Sequence, residues 1–185
     1  MPGRVNRYND VAQTLHWITA LLIFTTLPIA WIMQSMTHGS RRDVYVDAHK
    51  SIGITILLLT VARLLWRIRC GAPRELPSPI LSVFAKSSHW ALYALLLAMP
   101  LTGYIQSAAT DHAAAFFWLF QIPPLPHNQT LGDAALFIHN VLRWPLYALI
   151  AVHLLGVLVH VAWLRDSTLD RMLPAQRRLL SGSES

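Results

Sequence analysis

The sequence predicts an all-α integral membrane protein of one compact domain with four transmembrane helices, and three observations carry that prediction. The 185 residues are 54% hydrophobic and only 13% charged, and so small a charged share is too little to cover a water-facing surface. Four stretches stay mostly apolar for about 20 residues, the length a helix needs to cross the hydrocarbon layer. The basic residues gather at the ends of those stretches rather than over one face. Other classes are excluded by the same figures. The apolar content is too high for a disordered chain, Cys70 has no second cysteine in the chain to pair with, and no periodic repeat is found. A net charge of +6 can signal nucleic acid, but bases at helix ends follow membrane topology instead. No nucleic-acid partner is expected; the lipid bilayer is.

The first span runs from about Val11 to Met33 and carries LHWITALLIFTTLPIAWIM. Its length, the lack of a small-residue cleavage site and the presence of His16 argue against a signal peptide. The second runs from about Asp47 to Trp66 around SIGITILLLTVARLLW, and the third from about Ser88 to Ser107. The fourth, about Ala134 to Leu164, is long enough to extend past the bilayer. Pro28, Pro100 and Pro145 lie inside these spans, where neighbouring groups can re-satisfy the freed carbonyls. Residues 1–174 read as the membrane domain and 175–185 as a short tail.

Arg4, Arg7, Arg63, Arg67, Arg69, Arg74, Lys86, Arg165, Arg171, Arg177 and Arg178 fall on one side of the membrane. Arg41, Arg42, Lys50 and Arg143 fall on the other. The positive-inside rule therefore puts both termini in the cytoplasm. The segment from Ala108 to Asp133 holds no Lys or Arg and is expected outside, with AAAFFWLF as an interfacial stretch and IPPLP as a stiff turn. Trp17, Trp31, Trp66, Trp90, Trp118, Trp144 and Trp163 mostly fall near interfaces, as an aromatic belt would. Cys70, near the cytoplasmic end of span two, reads as an inert thiol.

Nine histidines is a high count, and His16, His49, His89, His139, His153 and His160 lie in or at the ends of spans. Ionisable groups at membrane depth are costly and mark function by default. His139 and His153 are 14 residues apart on one helix, which is about 21 Å of rise, and fourteen steps of about 100° bring both to one face. His16 opens span one from inside, and His49 opens span two from outside. Two pairs at matched depth result, His16 with His153 and His49 with His139. Each could place two imidazoles on opposite sides of one flat cofactor, as haem iron accepts. Zinc is the rival metal, though it usually takes four ligands including Cys or carboxylate, and each layer offers two strong candidates. Histidines that merely hydrogen-bond within the bundle are the plain alternative.

Gly53, one turn after His49, and Gly156, close to His153, would let a porphyrin edge approach the backbone; close packing of small residues accounts for them equally. Arg63, Arg67 and Arg143 lie near the depths expected of haem propionates, which Arg pairs with well, while topology alone explains Arg63 and Arg67 as well. Arg143 follows His139 by one turn on the base-poor side. His160 as a ligand would separate the two layers by about 31 Å, nearly the whole hydrocarbon thickness, so His153 is preferred. That leaves His89, which opens span three, and His160 near the inner surface, where they can bind a quinone head, pass protons or serve as ordinary interfacial histidines.

The sequence resembles the bacterial cytochrome b561 family. The resemblance is carried by LHW at Leu15–Trp17, HKSIGITILLLTVARLLWR from His49 to Arg67 and HWALYALLLAMPLTG from His89 to Gly103. It continues in HNVLRWPLYALIAVHLLGVLVH from His139 to His160 and in RDSTLDRMLP from Arg165 to Pro174. It covers about Tyr8 to Pro174 and is weak between Ala108 and Asp133. It implies a four-helix bundle enclosing two b-type haems, with ligands at His16, His49, His139 and His153, in the bacterial inner membrane. It also implies electron transfer between the periplasmic face and the quinone pool. Members similar to this chain oxidise superoxide and reduce ubiquinone; others serve as cytochrome subunits of hydrogenases or as partners of periplasmic proteins.

Two functions are therefore expected to compete. In the first the chain is an oxidoreductase from superoxide to ubiquinone. Arg41, Arg42, Lys50 and Arg143 would offer the anion a cationic approach, and one-electron oxidation needs no acid or base. In the second it is an electron-transfer subunit without a substrate of its own, docking a periplasmic redox protein through Phe116–Phe120 and IPPLP. A non-redox haem carrier or structural bundle is the third reading.

Overall fold

The computed structural model describes residues 7–71, 79–110 and 115–174. The segment assigned as a tail, 175–185, and the bases Arg4, Arg74, Arg177 and Arg178 lie outside the described residues. Four long helices run α1 Asp10–Ser35, α2 Ser40–Cys70, α3 Pro79–Ala109 and α4 Gln129–Leu158, the last continued by a π-helical turn over Val159–Leu164. All four are long and apolar enough to cross a membrane, so the chain is a multi-pass membrane protein.

The spans appear where the hydropathy puts them, but the helices overrun the apolar stretches. α2 begins at Ser40 rather than Asp47, and α3 at Pro79 rather than Ser88. Hydropathy marks the part of a helix that touches hydrocarbon; hydrogen bonding continues through polar residues until a cap stops it. Asn9 starts α1, its Oδ1 accepting from Ala12 N (2.9 Å). Asn128 starts α4 in the same way through Leu131 N (3.0 Å). Gly71 ends α2 at φ 72°, a left-handed position that glycine takes at no steric cost, and its N–H donates to Arg67 O.

Close backbone packing joins α1 to α2, α2 to α3 and α3 to α4. Small residues make the last contact tight. Ala108, Ala109, Gly132 and Ala135 are buried where α3 ends and α4 begins, and a Cβ on Gly132 would run into Thr110 Cγ2. α4 meets α1 through side chains, with the rings of Trp31 and Tyr147 6.2 Å apart and Arg143 Nη1 donating to Gln34 Oε1 (3.1 Å). The core lies at mid-height. Ile52, Ile56, Leu96 and Leu146 are buried there, with Leu22, Ile23, Leu92, Met99 and Ile150 packed against them.

The loop between α3 and α4, read from sequence as an interfacial stretch and a stiff turn, also contains a hairpin. Ala115–Phe116 and Phe120–Gln121 pair as a two-residue antiparallel hairpin. Its tip puts Phe117 and Trp118 in the left-handed region (φ 45° and 61°), a strained choice for such side chains. Ser51 of α2 holds it: the buried hydroxyl accepts from Phe117 N (2.8 Å) and lies 3.1 Å from Ala115 O. The proline segment is tied to α3, with Leu125 N donating to Ala108 O and Asn128 N to Ala109 O.

At the opposite end the chain after α4 folds back on the start of α1. Arg165 takes a left-handed conformation, and a 3-10 turn follows at Leu169–Arg171. Arg171 O accepts from Tyr8 N (3.0 Å), and Met172 O from Trp17 Nε1 (2.8 Å). The RDSTLDRMLP segment is thus part of the folded bundle.

Candidate functional site: two imidazole layers

The helix register brings the histidines together in the pairs that depth predicts. His16 of α1 and His153 of α4 have ring centroids 6.3 Å apart, with planes crossed at 69°. His49 of α2 and His139 of α4 are also 6.3 Å apart, crossed at 82°. The first pair lies toward the chain termini and the second toward the hairpin. A metal held within each pair would take His16 and His153 on the one side and His49 and His139 on the other.

All four helices build the hairpin-side layer. His49 Nδ1 stands 3.0 Å from Thr26 Oγ1 of α1. His139 Nδ1 donates to Met99 O of α3 (2.9 Å), with Thr102 Oγ1 at 3.3 Å. Engaging Nδ1 leaves Nε2 as the free lone pair, the arrangement usual for a ligating histidine. α3 also makes room, since a Cβ on Gly103 would sit 3.2 Å from His139 Cε1. Sequence reasoning missed Thr26, Met99 and Gly103. Met99 precedes Pro100 and lies four residues before Gly103, so the string MPLTG is the available signal.

The terminal-side layer carries three imidazoles. His89 of α3 lies 5.7 Å from His153. It sits ten residues inside α3 rather than at its start, because the helix begins at Pro79. Arg63 of α2 is within electrostatic reach of His16, His89 and His153. Its guanidinium lies 5.3 Å above the Tyr93 ring, while that of Arg67 lies 6.0 Å above Trp90. His16 Nδ1 is buried with no hydrogen-bond partner. A buried unpaired ring nitrogen is costly unless something occupies it.

A flat cofactor also needs clearance. A Cβ on Gly53 or on Gly156 would meet nothing within 4 Å. No neighbouring atom crowds these two positions, so each leaves room that a macrocycle edge could take. Zinc fits less well. Among the described residues no three His, Cys, Asp or Glu side chains group as a metal site, whereas zinc wants four ligands, or three with an open position.

The remaining candidates are dispersed. Arg143 is half-buried, stacks on Trp144 (5.1 Å), and leaves its Nε buried without a partner. Arg41 is exposed at the start of α2, and Arg42 Nε donates to Met33 O (3.1 Å), closing the end of α1. Lys50 is half-buried beside His49, with Asp43 and Asp47 near it. His160 is not the free group the sequence suggests: its Nδ1 lies 2.7 Å from Asp166 Oδ2 and 3.3 Å from Thr168 Oγ1. Partial burial pushes the Asp166 carboxyl up, yet hydrogen bonds from Thr168 and His160 hold it below the usual carboxylate range. His89 and His160 accordingly belong to different clusters. Cys70 is exposed at the end of α2.

A family model described as prokaryotic cytochrome b561 matches residues 7–175 of the chain. "Cytochrome b561 homolog 2" of Escherichia coli (strain K12) is 31% identical over 171 residues, 90% of this chain and 91% of that protein. "Probable superoxide oxidase CybB" of Yersinia pestis is 30% identical over 180 residues, 92% and 98% of the two chains. "Cytochrome b561 homolog 1" of Escherichia coli (strain K12) is 28% identical over 176 residues, 94% and 100%.

Proposed function

The chain belongs to the prokaryotic cytochrome b561 family of membrane electron-transfer proteins, and from that premise we propose that it binds two b-type haems and passes electrons from superoxide to ubiquinone. The observation that carries this reading is the pair of imidazole layers with equal 6.3 Å separations. His49 and His139 would hold one haem, and His16 and His153 the other. Gly53 and Gly156 leave clearance for the macrocycles. Arg63 and Arg67, close to the terminal-side layer, would supply the positive charge that haem propionates need. Each bound haem supplies a one-electron carrier whose potential its axial ligands and their hydrogen bonds set.

Two superoxide anions each lose one electron and leave as O2; ubiquinone takes up those two electrons and two protons. The chain's own groups need only admit the anion at one end and the quinone at the other. Arg143, Lys50, Arg41 and Arg42 stand apart from one another but at the same, hairpin end of the bundle, and their summed charge would favour an anion through long-range attraction. His89, beside Arg63 and Arg67, is proposed to meet the quinone head. His160, held by Asp166, is proposed to relay protons at the surface. The division of bases supports placing both termini in the cytoplasm of a bacterial inner membrane and the hairpin in the periplasm. The name of the Yersinia pestis relative supports superoxide as donor.

The second reading, an electron-transfer subunit that docks a periplasmic redox protein, is favoured by the hairpin tip, where Trp118, Leu119 and Phe120 are 57%, 78% and 59% exposed. Anaerobic mixing of the purified protein with superoxide and then a soluble quinone analogue separates the two. Rapid reduction of the haem bands followed by reoxidation supports the first. Bands that superoxide leaves oxidised, but that dithionite reduces and the quinone analogue reoxidises, establish the second.

A further inference from the structure

Thr19, Thr25, Thr55, Thr60, Thr102 and Thr110 each donate to the carbonyl four residues back in their own helix, at 2.7–2.9 Å. That is the habit of threonine in a spanning helix. Thr26, next to Thr25 in α1, reaches outward instead, its Oγ1 standing 3.0 Å from His49 Nδ1 on α2. This contact joins two helices at the height of the hairpin-side layer, and both side chains are half-buried there.

We infer that Thr26 is a positioning residue that sets the tautomer and ligand strength of His49, and through it the reduction potential of the hairpin-side haem. With Nε2 as the ring nitrogen that a metal takes, His49 Nδ1 carries the proton and donates it to Thr26 Oγ1. A hydrogen bond from the far ring nitrogen raises the basicity of a ligating imidazole. A more basic ligand favours the oxidised metal and lowers its potential. Backbone groups also reach both rings, Thr26 at His49 and the Met99 carbonyl at His139; side-chain exchange leaves both in place, so Thr26→Val reads the hydroxyl alone. The charged groups near this layer, Lys50 beside His49 and Arg143 beside His139, belong to other residues and stay unchanged when Thr26 is replaced. The inference rests on the proposal that His49 and His139 hold a haem.

The test uses the full chain with haem bound, titrated anaerobically by potential while the haem bands are followed. A His153→Ala protein serves to assign the hairpin-side midpoint. Thr26→Val keeps the shape and removes the hydroxyl; Thr26→Ser restores it. The expected result is a tenfold shift of the hairpin-side haem toward its reduced form at fixed potential in Thr26→Val. For a one-electron couple that is an upward shift of about 59 mV, with the second haem unmoved and Thr26→Ser close to wild type. Loss of the hairpin-side haem from Thr26→Val but not from Thr26→Ser supports the same conclusion. Unchanged midpoints in Thr26→Val with both haems bound, or loss of the haem from both variants, overturn it. Failure of the underlying reading looks different: His49→Ala would then retain every haem of the wild-type protein.

Discussion

The imidazole of His89 stands 5.7 Å from that of His153, closer than His153 stands to His16. The terminal-side layer thus carries one imidazole more than two axial positions use. If His16 and His153 are the ligands, His89→Phe retains both haems, since its ring keeps the packing. Its expected effect is confined to the terminal-side haem band and to quinone-dependent reoxidation, slowed by roughly tenfold, the low end of losses seen when groups around a ligand shell are changed. A His89→Phe protein with one haem per chain would assign the axial position to His89 instead.

The layers are expected to come apart by mutation. His49→Ala or His139→Ala should remove one haem and leave the other, and His16→Ala or His153→Ala should do the reverse. Pyridine haemochrome counts per chain, with spectra of the four variants overlaid, check this. A wild-type count of one would end the two-layer reading.

Clearance beside Gly53 and Gly156 gives a test that needs no ligand to be altered. Leucine at either position meets nothing within 4 Å of its Cβ and improves helix propensity by up to about 1 kcal/mol. Gly53→Leu should therefore insert and fold as the haem-free chain, yet exclude the hairpin-side haem; Gly156→Leu should exclude the other. Full haem content in both variants would show that the space has another purpose.

Arg143 donates to Gln34 Oε1 and keeps its Nε buried and unpartnered. An anion is the natural complement of such a group. Arg143→Ala should lower the superoxide rate by roughly tenfold and flatten its dependence on ionic strength, because screening acts on the field that draws the anion in. Quinone reduction by chemically reduced protein should be spared. An unchanged rate with an unchanged salt slope would leave Arg143 as an anchor of the helix end.

The turn after α4 should loosen in acid. Asp166 is held below its ordinary value by Thr168 and His160. A depressed carboxylate stabilises the fold fully above the unfolded value of about 3.9, and that contribution is lost as pH falls through the folded value. Hydrogen exchange at the Thr168 amide, which donates to Asp166 Oδ1, should therefore quicken in acid below about pH 4. Asp166→Asn should exchange faster at neutral pH and show no such step.

The four spans and both histidine pairs were legible in the sequence because each follows from one-dimensional quantities, hydropathy along the chain and rise per residue. His139 and His153 share a face by arithmetic alone. Partners that depend on how a neighbouring helix is rotated were not legible. Thr26 looks like Thr25 in sequence, and only packing turns one toward its own backbone and the other toward His49. Met99 contributes a carbonyl, which no residue type announces. The hairpin escaped because Phe117 and Trp118 adopt backbone angles that their residue types disfavour, held by a serine more than sixty residues away. His160 looked available because its partner, Asp166, lies beyond the span in a turn that hydropathy does not describe.

The mid-height core has an electrical consequence. Ile52, Ile56, Leu96 and Leu146 form a slab of low permittivity between the two layers, with no ionisable side chain among the four. His139 and His153 are separated by about 21 Å of helix within a hydrocarbon layer of about 30 Å. An electron passing between haems held at the two layers, as proposed, would therefore cross about two thirds of the field. At about 2.3 kcal/mol per charge per 100 mV, each transfer is coupled to roughly 1.6 kcal/mol of electrical work for every 100 mV across the membrane. On the proposed function, turnover is therefore expected to respond to the energised state of the membrane.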